Sequence, residues 1–73
     1  MKLKPLESIN DLKPGDMFFY TKMDFLSLRI FVRRIDVPGN HAIVYMADNN
    51  YLELDYNFGS IHDERYLVLD DEK

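Results

Sequence analysis

Apolar residues fall in short runs separated by turn-forming clusters. Leu6, Ile9 and Leu12 recur at three-residue spacing, which predicts one short helical turn in an entry segment punctuated by Pro5 and Pro14. Lys13-Pro14-Gly15-Asp16 reads as a turn, because proline fixes the backbone of its second position and glycine accepts the positive φ that follows. Met17 to Tyr20 is then a short, mostly apolar strand. Thr21-Lys22-Met23-Asp24 has the composition of a helix start, with a hydroxyl able to cap and an acidic group three residues on. From Asp24 to Ile35, the positions Leu28, Phe31, Val32 and Ile35 follow i, i+3, i+4, i+7 and predict one face of a helix. Arg29 and Arg33 share its other side, and Arg34 extends that positive patch. The same stretch is rich in Ile, Phe and Val and also allows a strand; the helix is the reading carried forward. Val37-Pro38-Gly39-Asn40 ends it.

The segments His41–Ala47 and Tyr51–Tyr56 predict two strands joined at Asp48-Asn49-Asn50. Two registers fit. A two-residue loop at Asn49-Asn50 puts His41, Ile43, Tyr45 and Ala47 on one face with Leu52, Leu54, Tyr56 and Phe58. One more loop residue puts His41 and Tyr45 beside Glu53 and Asp55, while Ala42, Val44 and Met46 pack with Leu52 and Leu54. Phe58-Gly59-Ser60 is a bend, Arg65–Leu69 a final strand, and Asp70-Asp71-Glu72-Lys73 a solvated tail. The expected fold is α+β: a small, partly open antiparallel β-barrel of about four strands, with one helix inserted after the first.

Seventy-three residues make a single domain, 1–73, near the lower limit of what folds alone. A core of that size supplies roughly 3–5 kcal/mol. There is no cysteine, so neither a disulfide nor thiolate-bound zinc contributes, and a reducing, cytoplasmic setting is expected. Two histidines and scattered carboxylates form no recognisable metal-spacing motif, so neither metal nor cofactor is expected. The longest apolar-rich segment, Phe25–Val32, is interrupted by Ser27 and Arg29 and too short to span a bilayer, so no membrane insertion is expected. Residues 1–36 carry a net +2 and residues 37–73 a net −6, for −4 in all. That balance disfavours nucleic-acid binding, which needs a concentrated positive footprint.

The order turn-Gly-Asp-strand (Pro14–Tyr20), helix, loop, His-led strand (His41–Ala47), Asp/Asn turn and Tyr-Leu-Glu strand (Tyr51–Glu53) resembles the circularly permuted NlpC/P60-like hydrolases. That group includes the YiiX-like and lecithin-retinol-acyltransferase-like proteins. The resemblance covers about residues 12–69 and implies His41 as the base and Glu53 as the residue that orients it. The family's nucleophilic cysteine comes later, at the start of a helix, and this chain ends before that helix and holds no cysteine. Ser60 lies in a bend where the family has no nucleophile.

The candidate chemistry is therefore weighed against an interaction role. His41 is either a residual base or a turn-proximal histidine, and His62 sits in a polar loop. Glu53 and Asp55 alternate along one strand, as a carboxylate pair or a half-exposed face does. The ten aromatic residues exceed what so small a core buries, and the adjacent Phe18 and Phe19 point to opposite faces of a strand. Phe18, Phe19, Phe25, Phe58 and Asp55 are the candidate interaction surface. The expected function is a non-enzymatic protein-binding module or inhibitor, with a protein partner or a second copy of the chain covering the exposed side. Two alternatives stand beside it: a hydrolase subdomain using His41 and Glu53 with a nucleophile from another chain, and an acidic mimic of nucleic acid.

Overall fold

A computed structural model describes residues 2–61 and 65–70. His62 and most of the acidic tail lie outside the described residues. The described chain forms β1 (Leu3–Pro5), a 3-10 turn (Ile9–Asp11), β2 (Met17–Lys22), β3 (Phe25–Arg34), β4 (His41–Met46), β5 (Tyr51–Asn57) and β6 (Tyr66–Leu69). All six strands join one open sheet, in the order β1-β6-β2-β3-β4-β5, with every neighbouring pair antiparallel. The expected α+β barrel of about four strands is thus corrected to an all-β sheet of six, and there is no α-helix among the described residues.

The segment read as a helix is β3. Lys22 pairs with Phe25 across a two-residue hairpin loop whose first residue, Met23, has φ 54°, so Thr21 continues a strand instead of capping a helix. Helical spacing of Leu28, Phe31 and Val32 coexists with strict strand alternation of Leu26, Leu28 and Ile30 against Ser27, Arg29 and Phe31. The strand prevails because β3 has a partner on each side, β2 and β4, and so pairs its backbone along its whole length. The expected entry turn is present as the 3-10 turn, where the Ser8 hydroxyl accepts from Asn10 N at 3.1 Å. At Gly15, φ is 92° and its amide donates to Phe31 O at 2.8 Å, which fastens the Pro14-Gly15 turn to β3.

Two bulges set the register. Between Phe31 and Arg33, two steps along β3 match one along β4, leaving Val32 as the extra residue. Between Val44 and Ala42, two steps along β4 match three along β5, so Leu54 and Asp55 together oppose Ile43.

The sheet is strongly curled. Tyr56 and Tyr66 lie on strands four places apart in the sheet order, about 19 Å at the usual strand spacing if the sheet were flat. Their hydroxyls are 3.0 Å apart. The core fills the inside of this curl: Phe18, Phe31, Ala42, Val44 and Tyr66 from the strands, covered by Leu6, Ile9, Leu12, Phe58 and Ile61 from the connections. Phe18 is fully buried, with the Phe58 ring centroid 5.2 Å away and that of Tyr66 6.1 Å away. No helix among the described residues is long and apolar enough to cross a membrane.

Phe18→Ala removes the largest fully buried side chain of this core and is expected to cost about 3–5 kcal/mol. Urea titration followed by circular dichroism checks this, and a loss below about 1 kcal/mol is incompatible with the packing described.

Candidate functional site

The β5 bulge decides the surroundings of His41. Before it, near the turn, Met46 pairs with Tyr51, Tyr45 with Leu52 and Val44 with Glu53; beyond it, Ala42 pairs with Tyr56 and His41 with Asn57. Neither uniform register expected from the sequence holds throughout, because the connecting loop has four residues, Ala47–Asn50, and the strand then gains one. Glu53 and Asp55 therefore do not share a face. Glu53 sits opposite buried Val44 on the inner side, and Asp55 turns outward with His41. The partner that orients His41 is Asp55, at Nδ1–Oδ1 2.7 Å, rather than Glu53.

A carboxylate on Nδ1 fixes the imidazole plane and leaves Nε2 for other work, the geometry of an oriented base. A Cβ added at Gly39 (φ 98°) would lie 3.2 Å from the His41 ring, so glycine also keeps that flank open. Among the described residues the ring has no hydrogen-bond partner besides Asp55, and none is a cysteine. No three His, Asp or Glu side chains among them are grouped to hold a metal ion.

The arginines expected as one patch are dispersed by the β3 bulge. Arg33, opposite Ile43, faces outward, and Arg34 crosses the inner rim, donating to Asn10 Oδ1 at 2.6 Å and Gly39 O at 3.3 Å. Arg29 turns inward among tyrosines, its guanidinium 4.8 Å from the Tyr20 ring centroid and 5.2 Å from that of Tyr56, and its Nη1 donates to the Tyr56 hydroxyl. Tyr56 and Tyr66 share a further hydrogen bond. Burial is the main cause that pushes the Tyr66 phenol well above its ordinary range, with the Tyr56 hydrogen bond adding to it and Arg29 opposing.

Of the aromatic residues expected at an interaction surface, Phe18 and Phe58 are core residues, 0% and 4% exposed, because the inward curl closes over them. Phe25 is 66% exposed at the β2–β3 hairpin. Phe19 points to the other face of the sheet, opposite to Phe18, as the alternation requires.

That other face was not foreseen as a unit. Register places Pro5, Leu67, Phe19 and Leu28 in one cross-strand row and Met17, Ile30, Tyr45 and Leu52 in a second. Together the rows reach every strand, and none of the eight residues is charged. The contacts that cross the curl, Tyr56 with Tyr66 and Arg29 with Tyr56, lie on the inner side with all of the buried core, and no described element packs on the outer side. Met17, Leu26 and Leu52 are 42%, 48% and 46% exposed. A one-sided antiparallel sheet ordinarily alternates apolar inside with polar outside; here β3 is more apolar outward (Leu26, Leu28, Ile30) than inward (Phe25, Ser27, Arg29, Phe31). The sequence signal was the adjacent apolar residues of Met17–Tyr20, Phe25-Leu26 and Ile30–Val32, which alternation sends to both faces of a strand.

Comparison with known protein families, with characterised proteins and with solved structures finds no match to this chain.

The Tyr66 shift predicts alkaline sensitivity. A phenol whose folded pKa is raised contributes stability that is whole below its unfolded value, about 10, and is lost as pH rises beyond it. The urea midpoint is expected to hold steady from neutral pH to about 9 and to fall above about 10, and Tyr66→Phe should flatten that fall. An equally steep fall in the variant contradicts the assignment.

Proposed function

We propose that this chain is a non-catalytic protein-binding module that works through the outer face of its sheet. The observation that carries this reading is the pair of uncharged cross-strand rows, continuous over six strands and covered by nothing among the described residues. Apolar patches of such extent on small domains serve as contact surfaces, because their exposure to water is unfavourable until a partner removes it. Aliphatic and aromatic rows on the convex side of the curl lack the concavity and the convergent polar groups of a small-molecule site.

A second reading rests on the His41–Asp55 pair: a hydrolase subdomain in which His41 is the base, Asp55 orients it and another chain brings the nucleophile. The two readings separate by substitution. Leu28→Glu places a charge in the middle of the outer face and is expected to abolish retention of any bound polypeptide, a second copy included, while His41→Ala leaves retention intact. Affinity capture with the wild type and both folded variants reads this directly. Ester or amide turnover that His41→Ala abolishes and Leu28→Glu spares would favour the hydrolase instead.

A further inference from the structure

We propose that Arg29 is the centre of an oxyanion-binding site on the inner side of the sheet, where it takes the phosphate or carboxylate group of a small molecule. Arg29 is half-buried, and the rings of Tyr20 and Tyr56 lie against its guanidinium with centroids 4.8 Å and 5.2 Å away. A guanidinium packed on aromatic rings keeps its edges for hydrogen bonding. On one side, Nη1 donates to the Tyr56 hydroxyl. The other edge is the parallel fork of Nε–H and an Nη2–H, and neither nitrogen has a hydrogen-bond partner among the described residues. Nε is sealed from solvent, whereas Nη2 is not. A buried charged donor left unpaired is unfavourable, and an acceptor that enters beside Nη2 with two oxygens satisfies both nitrogens at once.

The positive charge is also unmatched. The one ion pair among the described residues is His41–Asp55. Glu53, the inward carboxylate of β5, accepts from the Asp55 amide at 3.4 Å and has no basic described group within 4 Å. The tyrosines supply no counter-charge either, because burial keeps the Tyr66 phenol protonated beside Tyr56. Arg34 differs, since its guanidinium is occupied by Asn10 Oδ1 and Gly39 O. A cation partly withdrawn from water and lacking an anion attracts one more strongly than an exposed lysine does.

The surrounding polar groups suit the same ligand. Ser27 and Tyr20 are cross-strand partners on the inward face, and Arg29 follows Ser27 at the next inward position of β3. Both hydroxyls are without a hydrogen-bond partner among the described residues. A carboxylate needs the fork alone, and a phosphate has further oxygens for these hydroxyls.

Nitrogen-edited NMR of the full chain tests this, because the arginine Nε–Hε signals report on the fork directly. Sodium phosphate and sodium acetate are titrated separately, with chloride holding the ionic strength constant. The Arg29 Nε–Hε signal and the amides of Tyr20, Ser27 and Tyr56 are expected to shift and saturate with a Kd on the order of 1 mM or tighter. The signals of Arg33 and Arg34 are expected to stay in place. Arg29→Lys keeps the charge and removes the fork, and it is expected to weaken binding about tenfold or more. The dispersion of its spectrum verifies folding, and the wild-type titration decides alone where that variant does not fold. Saturation with phosphate, with acetate or with both upholds the site and names the group it takes. No saturable shift at Arg29 with either probe overturns it, as do equal shifts at every arginine or undiminished binding by folded Arg29→Lys.

Discussion

The hydrogen bond between Tyr56 and Tyr66 marks the constraint on which the rest of the molecule depends. Six short strands must bend far enough for the last part of the hairpin β4–β5 to reach over to β6, and only then do Phe18, Phe31, Val44 and Phe58 find apolar neighbours on all sides. The curl is supported at several points. The two bulges add local twist, Arg29 lies between the rings of Tyr20 and Tyr56, and Phe58 N donates to Asn40 O at 2.8 Å where the chain leaves β5. In a chain of 73 residues every large apolar residue used in this way matters, because the net stability of a domain is a small difference between large terms.

Concentrating the core on the inside has a consequence on the outside. The alternation that sends Phe18 inward sends Phe19 outward, and the neighbours of Phe19 across the sheet are Leu28 and Leu67. With polar residues in those rows, the sheet would be an ordinary half-solvated one. Its edges are blunted by the short β1 with Pro5 and by the acidic residues of β5, so unwanted strand addition is opposed while the face is left open.

The two bulges also explain which chemistry was legible. His41 was identified from its place at the head of a strand, and the longer-loop register set it beside both Glu53 and Asp55; that register holds only beyond the β5 bulge, where His41 meets Asp55 at 2.7 Å. Glu53, the apparent partner by position, is turned to the opposite face by that bulge. Likewise, Arg29 and Arg33 have the spacing of a shared face in either a helix or a regular strand, and the extra residue at Val32 separates them. A bulge changes the face of everything beyond it, so a one-residue event redistributes a whole candidate site.

By itself the sequence determined the turn at Pro14-Gly15, the entry turn over Leu6–Leu12, the hairpin between His41 and Tyr56, and the opposed directions of Phe18 and Phe19. These rest on local backbone preferences and on strand alternation, which act over a few residues. Tertiary structure decided that Phe25–Arg34 is a strand, since its apolar positions satisfy both periods and only pairing with β2 and β4 separates them. It also decided the inward fate of Phe58, the His41–Asp55 contact and the uncovered outer face. Those depend on which strands become neighbours and how far the sheet bends, and such non-local choices are settled by packing the whole chain at once.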